Sequence, residues 1–185
     1  LDVRSKNLFS KGHIPGSLFI GLEGMFAPWA GTLIEDVNQK IIIVSTKGKE
    51  EETISRLSRV GFDNVLGFLD GGYENWIKSS GKINKIKSIN AEEFINEARS
   101  SIKNIYDVRG EDEFKISHFP GAKNIPLKKI DQHIREFREN SPFYVYCKAG
   151  YRSVIACSII NKDSDLDLVN IKGGYDMIKK VNFST

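Results

Sequence analysis

The segment FYVYCKAGYRS, residues 143–153, contains the pattern that decides the fold. Its first four residues are aromatic or β-branched, which is typical of a short buried strand. The residues from Ser153 to Ile160, SVIACSII, are mostly apolar and indicate a helix packed against a sheet. A strand joined by a tight loop to a helix predicts an α/β domain with a mainly parallel sheet. In such sheets the chemistry lies beyond the carboxyl ends of the strands, and the residue at that place is Cys147.

Four blocks of sequence recur in the same order about 100 residues apart, which indicates two copies of one domain rather than a solenoid. We place the boundary in the polar stretch near Lys82–Lys85, so the domains are residues 1–85 and 86–185. The paired blocks are LDVR and YDVR (1–4 and 106–109), HIPGS and HFPGA (13–17 and 118–122), IIIVS and FYVYC (41–45 and 143–147), and GGY and GGY (71–73 and 173–175).

The two copies differ at their starts. Before Tyr106 the second copy has 20 residues, 86–105, whose apolar spacing and Asn90-x-x-Glu93 capping pattern indicate a strand, a helix and a strand. The first copy begins at Leu1, inside the corresponding strand. A domain without its opening strand and helix exposes apolar surface and an unpaired sheet edge. We therefore expect an N-terminally truncated first domain, with the missing element upstream.

Composition excludes several classes of protein. The chain has 27 Lys and Arg against 24 Asp and Glu, and a net charge of +3 is too small to indicate a nucleic-acid partner. The most apolar stretch, residues 19–34, is too short for a membrane span and includes Glu23 and Pro28. Two cysteines are too few for a disulfide scaffold. We expect a soluble cytoplasmic protein that binds neither nucleic acid nor membrane.

The loop after Cys147 brings together groups that carry full or partial positive charge. Ala149 and Gly150 let the backbone turn its N–H groups inward at little steric cost. The helix that begins near Ser153 adds unpaired N–H groups and about half a positive charge at its N-terminus. Arg152 adds a full positive charge with a planar set of donors. Because these features favour a thiolate, the loop predicts a nucleophilic cysteine in an anion-binding cup.

The cysteines and histidines can each also have a purely structural role. Cys147 could be a buried strand-end cysteine without chemistry, as many free cysteines are. Cys157 lies among apolar residues in the middle of a helix, where core packing is the simpler role. His13, His118 and His133 show no metal-ligand spacing, so we predict no metal site; the first two precede Pro-Gly and are expected to brace a turn.

These motifs resemble the rhodanese (thiosulfate:thiol sulfurtransferase) domain, in order and at similar separations. The resemblance covers residues 86–185 fully and residues 1–85 in degraded form. It implies two rhodanese-like domains, each a mainly parallel five-stranded sheet flanked by helices. The matching residues are Asp107-Val108-Arg109, His118-Phe119-Pro120-Gly121-Ala122, Cys147-x-x-Gly150-x-Arg152-Ser153 and Gly173-Gly174-Tyr175.

The resemblance also implies an activity. Cys147 would take a sulfane sulfur from a small donor, such as thiosulfate or a persulfide, carry it as a persulfide without another cofactor, and pass it to a thiol acceptor. Arg152 would help to anchor the loop and the anion, and Lys148 would attract anionic donors. Asp107 and Arg109 would support the base of the loop. The expected substrate-binding residues are Lys148, Ala149, Gly150, Tyr151 and Ser153.

The first copy lacks this nucleophile. Its aligned loop has Ser45 in place of Cys147 and Glu50 in place of Arg152. A hydroxyl cannot replace a thiolate as a sulfur carrier, and a carboxylate repels an anion in the cup. We expect a catalytically silent domain that supplies structure, a docking surface or part of a shared cleft.

Two alternative functions stay open. Cell-cycle dual-specificity phosphatases and some arsenate reductases share this fold, but they place the arginine six residues after the cysteine. Here Arg152 follows Cys147 by five, which gives a smaller cup suited to a single sulfur atom. The other alternative is a non-catalytic module that binds sulfur or an anion for regulation.

The order of the two copies, a degenerate one followed by an active one, resembles the C-terminal half of metallo-β-lactamase–rhodanese fusion proteins. The first copy also contains the segment Phe26-Ala27-Pro28-Trp29-Ala30-Gly31, which is part of this resemblance. The resemblance implies an upstream metallo-β-lactamase-like domain that binds iron and oxidises persulfides. It implies no metal site within residues 1–185.

Overall fold

Five short parallel strands form the sheet of the second of the two units into which the chain divides, Ile86–Thr185. In this computed structural model, which describes residues 1–100, 104–164 and 166–182, the strand order is β3-β7-β6-β4-β5 and all four neighbouring pairs are parallel. The predicted α/β class with a mainly parallel sheet is thereby confirmed. The strands are β3 (Lys87–Ile89), β4 (Ile105–Asp107), β5 (Lys123–Asn124), β6 (Phe143–Tyr146) and β7 (Leu168–Ile171).

Helices cover this sheet because its three central strands are buried, β4 and β7 at every position and β6 at three of four. Helices α5 and α9 pack against each other and share a core with the strand residues Ile105, Tyr146 and Ile171. Helix α8 packs against a 3₁₀ helix and against β6 and β7. The helices are α5 (Ala91–Ser100), α6 (Glu111–Ile116), the 3₁₀ helix (Leu127–His133), α7 (Ile134–Glu139), α8 (Tyr151–Ile160) and α9 (Gly174–Asn182).

The first unit, Leu1–Lys85, repeats the same order of elements from the second strand position onward. Strands β1 and β2 are parallel, and isolated parallel bridges join Asp2 to Val44 and to Phe19. No helix in the described parts of either unit is long and apolar enough to cross a membrane. The elements are α1 (Lys6–Lys11), α2 (Phe26–Leu33), β1 (Ile41–Ile43), α3 (Glu50–Ser58), β2 (Val65–Phe68) and α4 (Gly72–Lys78).

The outer edge of β2 has no strand partner among the described residues. In the second unit the aligned strand β7 is buried at all four positions because β3 pairs with it. In the first unit Leu66 is 59% exposed and Phe68 is 49% exposed. Among the described residues, the first unit therefore has a strand edge without a partner and two half-exposed apolar side chains on that strand.

A buried ion pair recurs in both units with nearly the same geometry. The distance from Arg4 Nη2 to Asp2 Oδ2 is 2.6 Å, and that from Arg109 Nη2 to Asp107 Oδ2 is 2.5 Å. Each guanidinium also donates to a backbone carbonyl eight residues further along, at 2.9 Å and 2.8 Å. The repeat seen in the sequence is therefore a repeat of a structural frame.

A stacked phenylalanine–histidine pair is the second part of this frame. Ring centroids are 3.9 Å apart for Phe9 and His13 and 3.8 Å apart for Phe114 and His118. In each unit the histidine Nδ1 also lies within hydrogen-bond distance of the phenylalanine carbonyl oxygen, at 3.0 Å and 2.8 Å. The pair fixes the turn after α1 and the turn after α6.

Candidate active site

Cys147 lies immediately after β6, which is flanked by β4 and β7 in the sheet. Strand β6 is buried at three of its four positions, and Cys147, the residue that follows it, is buried as well. Cys147 is 1% exposed. The thiol therefore lies just inside the carboxyl edge of the parallel sheet, at the position the sequence predicted for the chemistry.

The loop places one hydrogen-bond donor and one hydroxyl against the thiol. Gly150 adopts a left-handed conformation with φ of 86°, which a side chain disfavours, and its N–H donates to Cys147 Sγ at 3.1 Å. Ser153 is fully buried in the first turn of α8, with its Oγ 3.6 Å from the same sulfur. The sulfur thus lies at the positive end of a ten-residue helix with two hydrogen-bonding groups against it.

The carbonyl groups of the loop point away from the sulfur, towards α9. Tyr175 N–H donates to Cys147 O at 2.7 Å, and Asp176 N–H donates to Lys148 O at 3.0 Å. This contact requires glycine, because a Cβ on Gly174 would lie 2.2 Å from Cys147 O. The Gly173-Gly174 motif therefore lets α9 bind the two carbonyls, on the opposite side of the loop from the Gly150 N–H that faces the sulfur.

Arg152 is held by Glu113 rather than left open to the cup. Its Nη1 lies 2.5 Å from Glu113 Oε2 and its Nη2 lies 2.9 Å from Glu113 Oε1, a two-pronged contact between α8 and α6. The hydrogen bonds from Arg152 lower the pKa of Glu113 to about 2. In return, the hydrogen bond to Glu113 raises the pKa of Arg152. This ion pair fixes the loop to α6.

Sequence reasoning did not identify Glu113. The structure shows a second task for it, since Gly110 N–H donates to Glu113 Oε2 at 3.2 Å and this bond caps the start of α6. The signal available in the sequence was a paired change between the two copies. At an offset of 105 the residue aligned with Glu113 is Leu8, and at an offset of 102 the residue aligned with Arg152 is Glu50.

Asp107 and Arg109 lie beneath the loop and do not line the cup. Asp107 is fully buried at the end of β4, and its carboxylate accepts two hydrogen bonds from Arg109 Nε and one from Nη2. The Arg109 guanidinium lies 4.2 Å from the centroid of the Tyr175 ring and donates to Ser117 O. The ion pair thus joins β4 to α9 and to the end of α6.

The three remaining loop residues differ in exposure. Lys148 and Ala149 are exposed at the mouth of the cup, and Tyr151 is partly buried in the first turn of α8. Lys148 is therefore the cationic side chain that an incoming anion meets at the surface.

Cys157 occupies a different environment from Cys147. It is fully buried in the middle of α8, between buried Ala156 and buried Ser158. Burial raises the pKa of this thiol well above its ordinary value, so it stays a neutral thiol. Its environment fits packing in the core.

The corresponding loop of the first unit has other contacts. Ser45 is 5% exposed at the position of Cys147, and its hydroxyl donates to Glu50 Oε1 at 3.1 Å. Leu8, the residue aligned with Glu113, is 44% exposed.

Among the residues that the structure describes, no three His, Cys, Asp or Glu side chains lie together where they could hold a metal ion. His13 and His118 bind backbone carbonyls in the two turns, and His133 lies 3.4 Å from Glu136.

Comparison with known proteins agrees with this geometry. The model of the rhodanese-like domain matches residues 1–79 and 90–180. The "Uncharacterized protein YqhL" of Bacillus subtilis (strain 168) is 36% identical over 90 residues, which are 49% of this chain and 70% of that protein.

A second relative in the same organism, named "Putative sulfur carrier protein YrkF", is 32% identical over 108 residues. The match covers 58% of this chain and 57% of that protein. Among solved structures, a rhodanese-like domain protein from Staphylococcus aureus has a TM-score of 0.47 and 31% identity, covering 50% of this chain and 91% of its own. Because the family model matches most of both units, the chain belongs to the family of rhodanese-like domain proteins.

Proposed function

We propose that the second unit transfers sulfane sulfur through a persulfide on Cys147. The observation that carries this proposal is the Gly150 N–H donated to Cys147 Sγ at 3.1 Å, at the start of α8. An anionic sulfur at this place is stabilised by an oriented N–H group and by the helix dipole. The family, and the name of YrkF as a sulfur carrier, support sulfur chemistry at a coarser level.

The first half-reaction loads the enzyme. The Cys147 thiolate attacks the outer sulfur of a donor such as thiosulfate, and a new S–S bond forms. The S–S bond within the donor breaks, and sulfite leaves with its electron pair. The protein now carries one extra sulfur as a persulfide, and its terminal sulfur is again an anion.

The second half-reaction unloads the enzyme. A thiolate acceptor attacks the terminal sulfur, the persulfide bond breaks, and its electron pair returns to Cys147 as thiolate. The acceptor leaves as a persulfide, or as thiocyanate when cyanide is the acceptor. No net oxidation occurs, so the cycle needs no redox cofactor.

Each neighbouring side chain has a role in this proposal. In the structure the Cys147 thiol donates to Ser153 Oγ, and once the sulfur is an anion the same hydroxyl donates to it. Lys148, exposed at the mouth, draws an anionic donor towards a cysteine that is itself almost fully covered. Arg152 acts through its contact with Glu113, which holds the N–H groups of the loop in position.

The test is to treat the protein with thiosulfate and measure its intact mass. We expect a gain of about 32 Da located on Cys147, and thiocyanate formation when cyanide follows. Cys147→Ser abolishes both results, whereas the matched control Cys157→Ser keeps both. Sulfur transfer at the normal rate by Cys147→Ser would overturn the assignment.

The same samples separate the alternative functions. Hydrolysis of a phenyl phosphate without a mass gain would indicate a phosphatase, contrary to the five-residue spacing from Cys147 to Arg152. A mass gain from neither thiosulfate nor a low-molecular-weight persulfide would indicate a binding module that does not turn over.

The cellular setting is also a proposal. A thiol nucleophile is kept reduced in the cytoplasm, so the proposed cycle fits that compartment. The relation to metallo-β-lactamase fusion proteins stays a prediction, which a His-x-His-x-Asp-His segment in the parent reading frame would support.

A further inference from the structure

The reactive sulfur of the second unit is almost completely covered by its own loop. Cys147 is 1% exposed, and Gly150 and Ser153 are buried beside it. The Gly150 N–H donates to Sγ at 3.1 Å, and Ser153 Oγ lies 3.6 Å from the same atom. Between them in the loop, Lys148 and Ala149 are exposed. A reactant therefore meets the loop at these two residues and finds little free room beside the sulfur itself.

The room beside the sulfur decides which sulfur compounds can react with it. When a thiolate attacks a sulfur atom, the leaving group departs on the side opposite to the thiolate, and access limits the rate. The outer sulfur of thiosulfate carries no other substituent. Each sulfur of a disulfide also carries a carbon, which projects sideways from the line of attack. That carbon would have to enter the space beside Sγ that Gly150 and Ser153 fill.

The same cover acts on the loaded protein, in which an acceptor thiolate has two sulfur atoms to attack. The persulfide bond places the outer sulfur about 2 Å beyond Sγ. Attack on the outer sulfur breaks the S–S bond, returns its electron pair to Cys147 and gives the acceptor persulfide. Attack on Sγ would break the same bond, release the outer sulfur as sulfide with the electron pair, and leave the acceptor on Cys147 as a mixed disulfide. Because Sγ is the covered atom, the first course is favoured.

We propose that the cover over Cys147 Sγ selects terminal sulfur atoms in both half-reactions. The second unit takes sulfur from donors that end in a sulfur with one substituent, does not exchange with disulfides, and passes on the outer sulfur of its persulfide rather than releasing it as sulfide. This inference rests on the proposed sulfur transfer and adds its selectivity. The unloaded thiolate is thereby kept from becoming a mixed disulfide, which would block it.

The first test compares two reagents on a chain with a single thiol. Cys157→Ser leaves Cys147 as the one cysteine of the sequence, so every adduct reports on that residue. The folded protein is treated at pH 8.5, where an exposed thiol is about half ionised, with thiosulfate or with bis(2-hydroxyethyl) disulfide, and its intact mass is followed. The disulfide is uncharged, so charge repulsion cannot account for a slow reaction.

We expect the gain of about 32 Da from thiosulfate and no adduct from the disulfide in the folded protein. The matched control is the same variant in urea, where unfolding removes the cover from Cys147. There the disulfide should modify the thiol about a hundredfold faster than in the folded protein.

The second test follows the product of unloading. Loaded Cys157→Ser protein is freed of donor and given one equivalent of 2-mercaptoethanol. We expect the mass to return to that of the unloaded protein, without a mixed disulfide. In urea both sulfur atoms are exposed, and the mixed disulfide should appear together with sulfide.

Each contrary outcome has a distinct meaning. A disulfide reaction with the folded protein at the rate seen in urea, or a mixed disulfide as the main product of unloading, overturns the inference while the 32 Da gain leaves the proposed function intact. No mass gain from thiosulfate overturns the proposed function and the inference with it. If Cys157→Ser does not fold, the unmodified chain gives the same answer, with each adduct located by peptide mass mapping.

Discussion

Gly174 packs against the carbonyl oxygen of Cys147 so closely that a methyl group on Gly174 would lie 2.2 Å from that oxygen. The approach allows the first N–H groups of α9 to bind the carbonyls of Cys147 and Lys148. The backbone of the loop after Cys147 is therefore held from outside, by the first residues of α9.

Gly174→Ala tests this relationship. The added methyl group pushes the loop backbone and also strains a residue with φ of 57°, so we expect a loss of about 1–3 kcal/mol of stability and at least a tenfold slower sulfur transfer. The measurements are urea unfolding and thiocyanate formation. The matched control is Gly121→Ala, also at positive φ but with no atom within 4 Å of its Cβ, which should leave transfer unchanged. A normal transfer rate in Gly174→Ala would contradict the argument.

Ser153→Ala tests the side-chain hydroxyl beside the sulfur. Ser153 Oγ lies 3.6 Å from Cys147 Sγ, so removal of this hydroxyl should slow the loading of sulfur several-fold with little change in fold. The rate of mass gain after thiosulfate treatment measures this effect. Ser158→Ala is the control, because Ser158 is buried on the same helix and donates to Ile155 O instead. Equal rates in the two variants would remove Ser153 from the mechanism.

Glu113→Gln tests the anchor of Arg152. Because Arg152 holds the pKa of Glu113 at about 2, below its ordinary value of 4.5, the ionised pair stabilises the fold above pH 4.5. That contribution is lost as the pH falls from 4.5 towards 2. The side chain of Glu113 is 37% exposed, so solvent screening limits the contribution to about 1 kcal/mol.

Urea unfolding of both proteins at pH 6, 4 and 3 measures this prediction. We expect Glu113→Gln to be less stable at pH 6 and the difference to shrink at pH 3. Sulfur transfer should fall at pH 6 as well, because the loop loses its contact with α6. A difference in stability that grows as the pH falls would show that the ion pair is not its source.

Sulfur loading by the first unit should require a glutamate at position 8 as well as a cysteine and an arginine in the loop. In a Cys147→Ser background, Ser45→Cys with Glu50→Arg supplies a nucleophile and a cation but leaves Leu8 opposite the new arginine. Adding Leu8→Glu rebuilds the ion pair of the second unit, so the triple variant should gain about 32 Da from thiosulfate faster than the double variant. Equal gains in the two variants would show that residue 8 does not limit the loop.

Much of the fold and of the site follows from the sequence alone. The repeated blocks predicted two domains, and the aromatic strand before Cys147 predicted a buried parallel sheet with the thiol at its carboxyl end. Gly150 and Ser153 are close to the thiol, as the loop predicts. These features are local, because a strand, a turn and a helix within eleven residues determine them.

What the sequence did not reveal depends on contacts across the fold. Arg152 pairs with Glu113, which is 39 residues away, and nothing in the loop itself indicates that partner. The role of Gly174 likewise depends on how closely α9 approaches the loop, which spacing alone does not determine. The carboxylate of Glu50 was expected to repel an anion, and the structure adds that it accepts a hydrogen bond from the Ser45 hydroxyl.

The bare outer edge of β2 has a practical consequence for anyone who handles residues 1–185. Its free backbone groups, together with half-exposed Leu66 and Phe68, form a template on which a strand from another molecule can add. Gly67, where the backbone departs from regular pairing, shortens that template without removing it. Concentrated samples should therefore associate through this edge of the first unit.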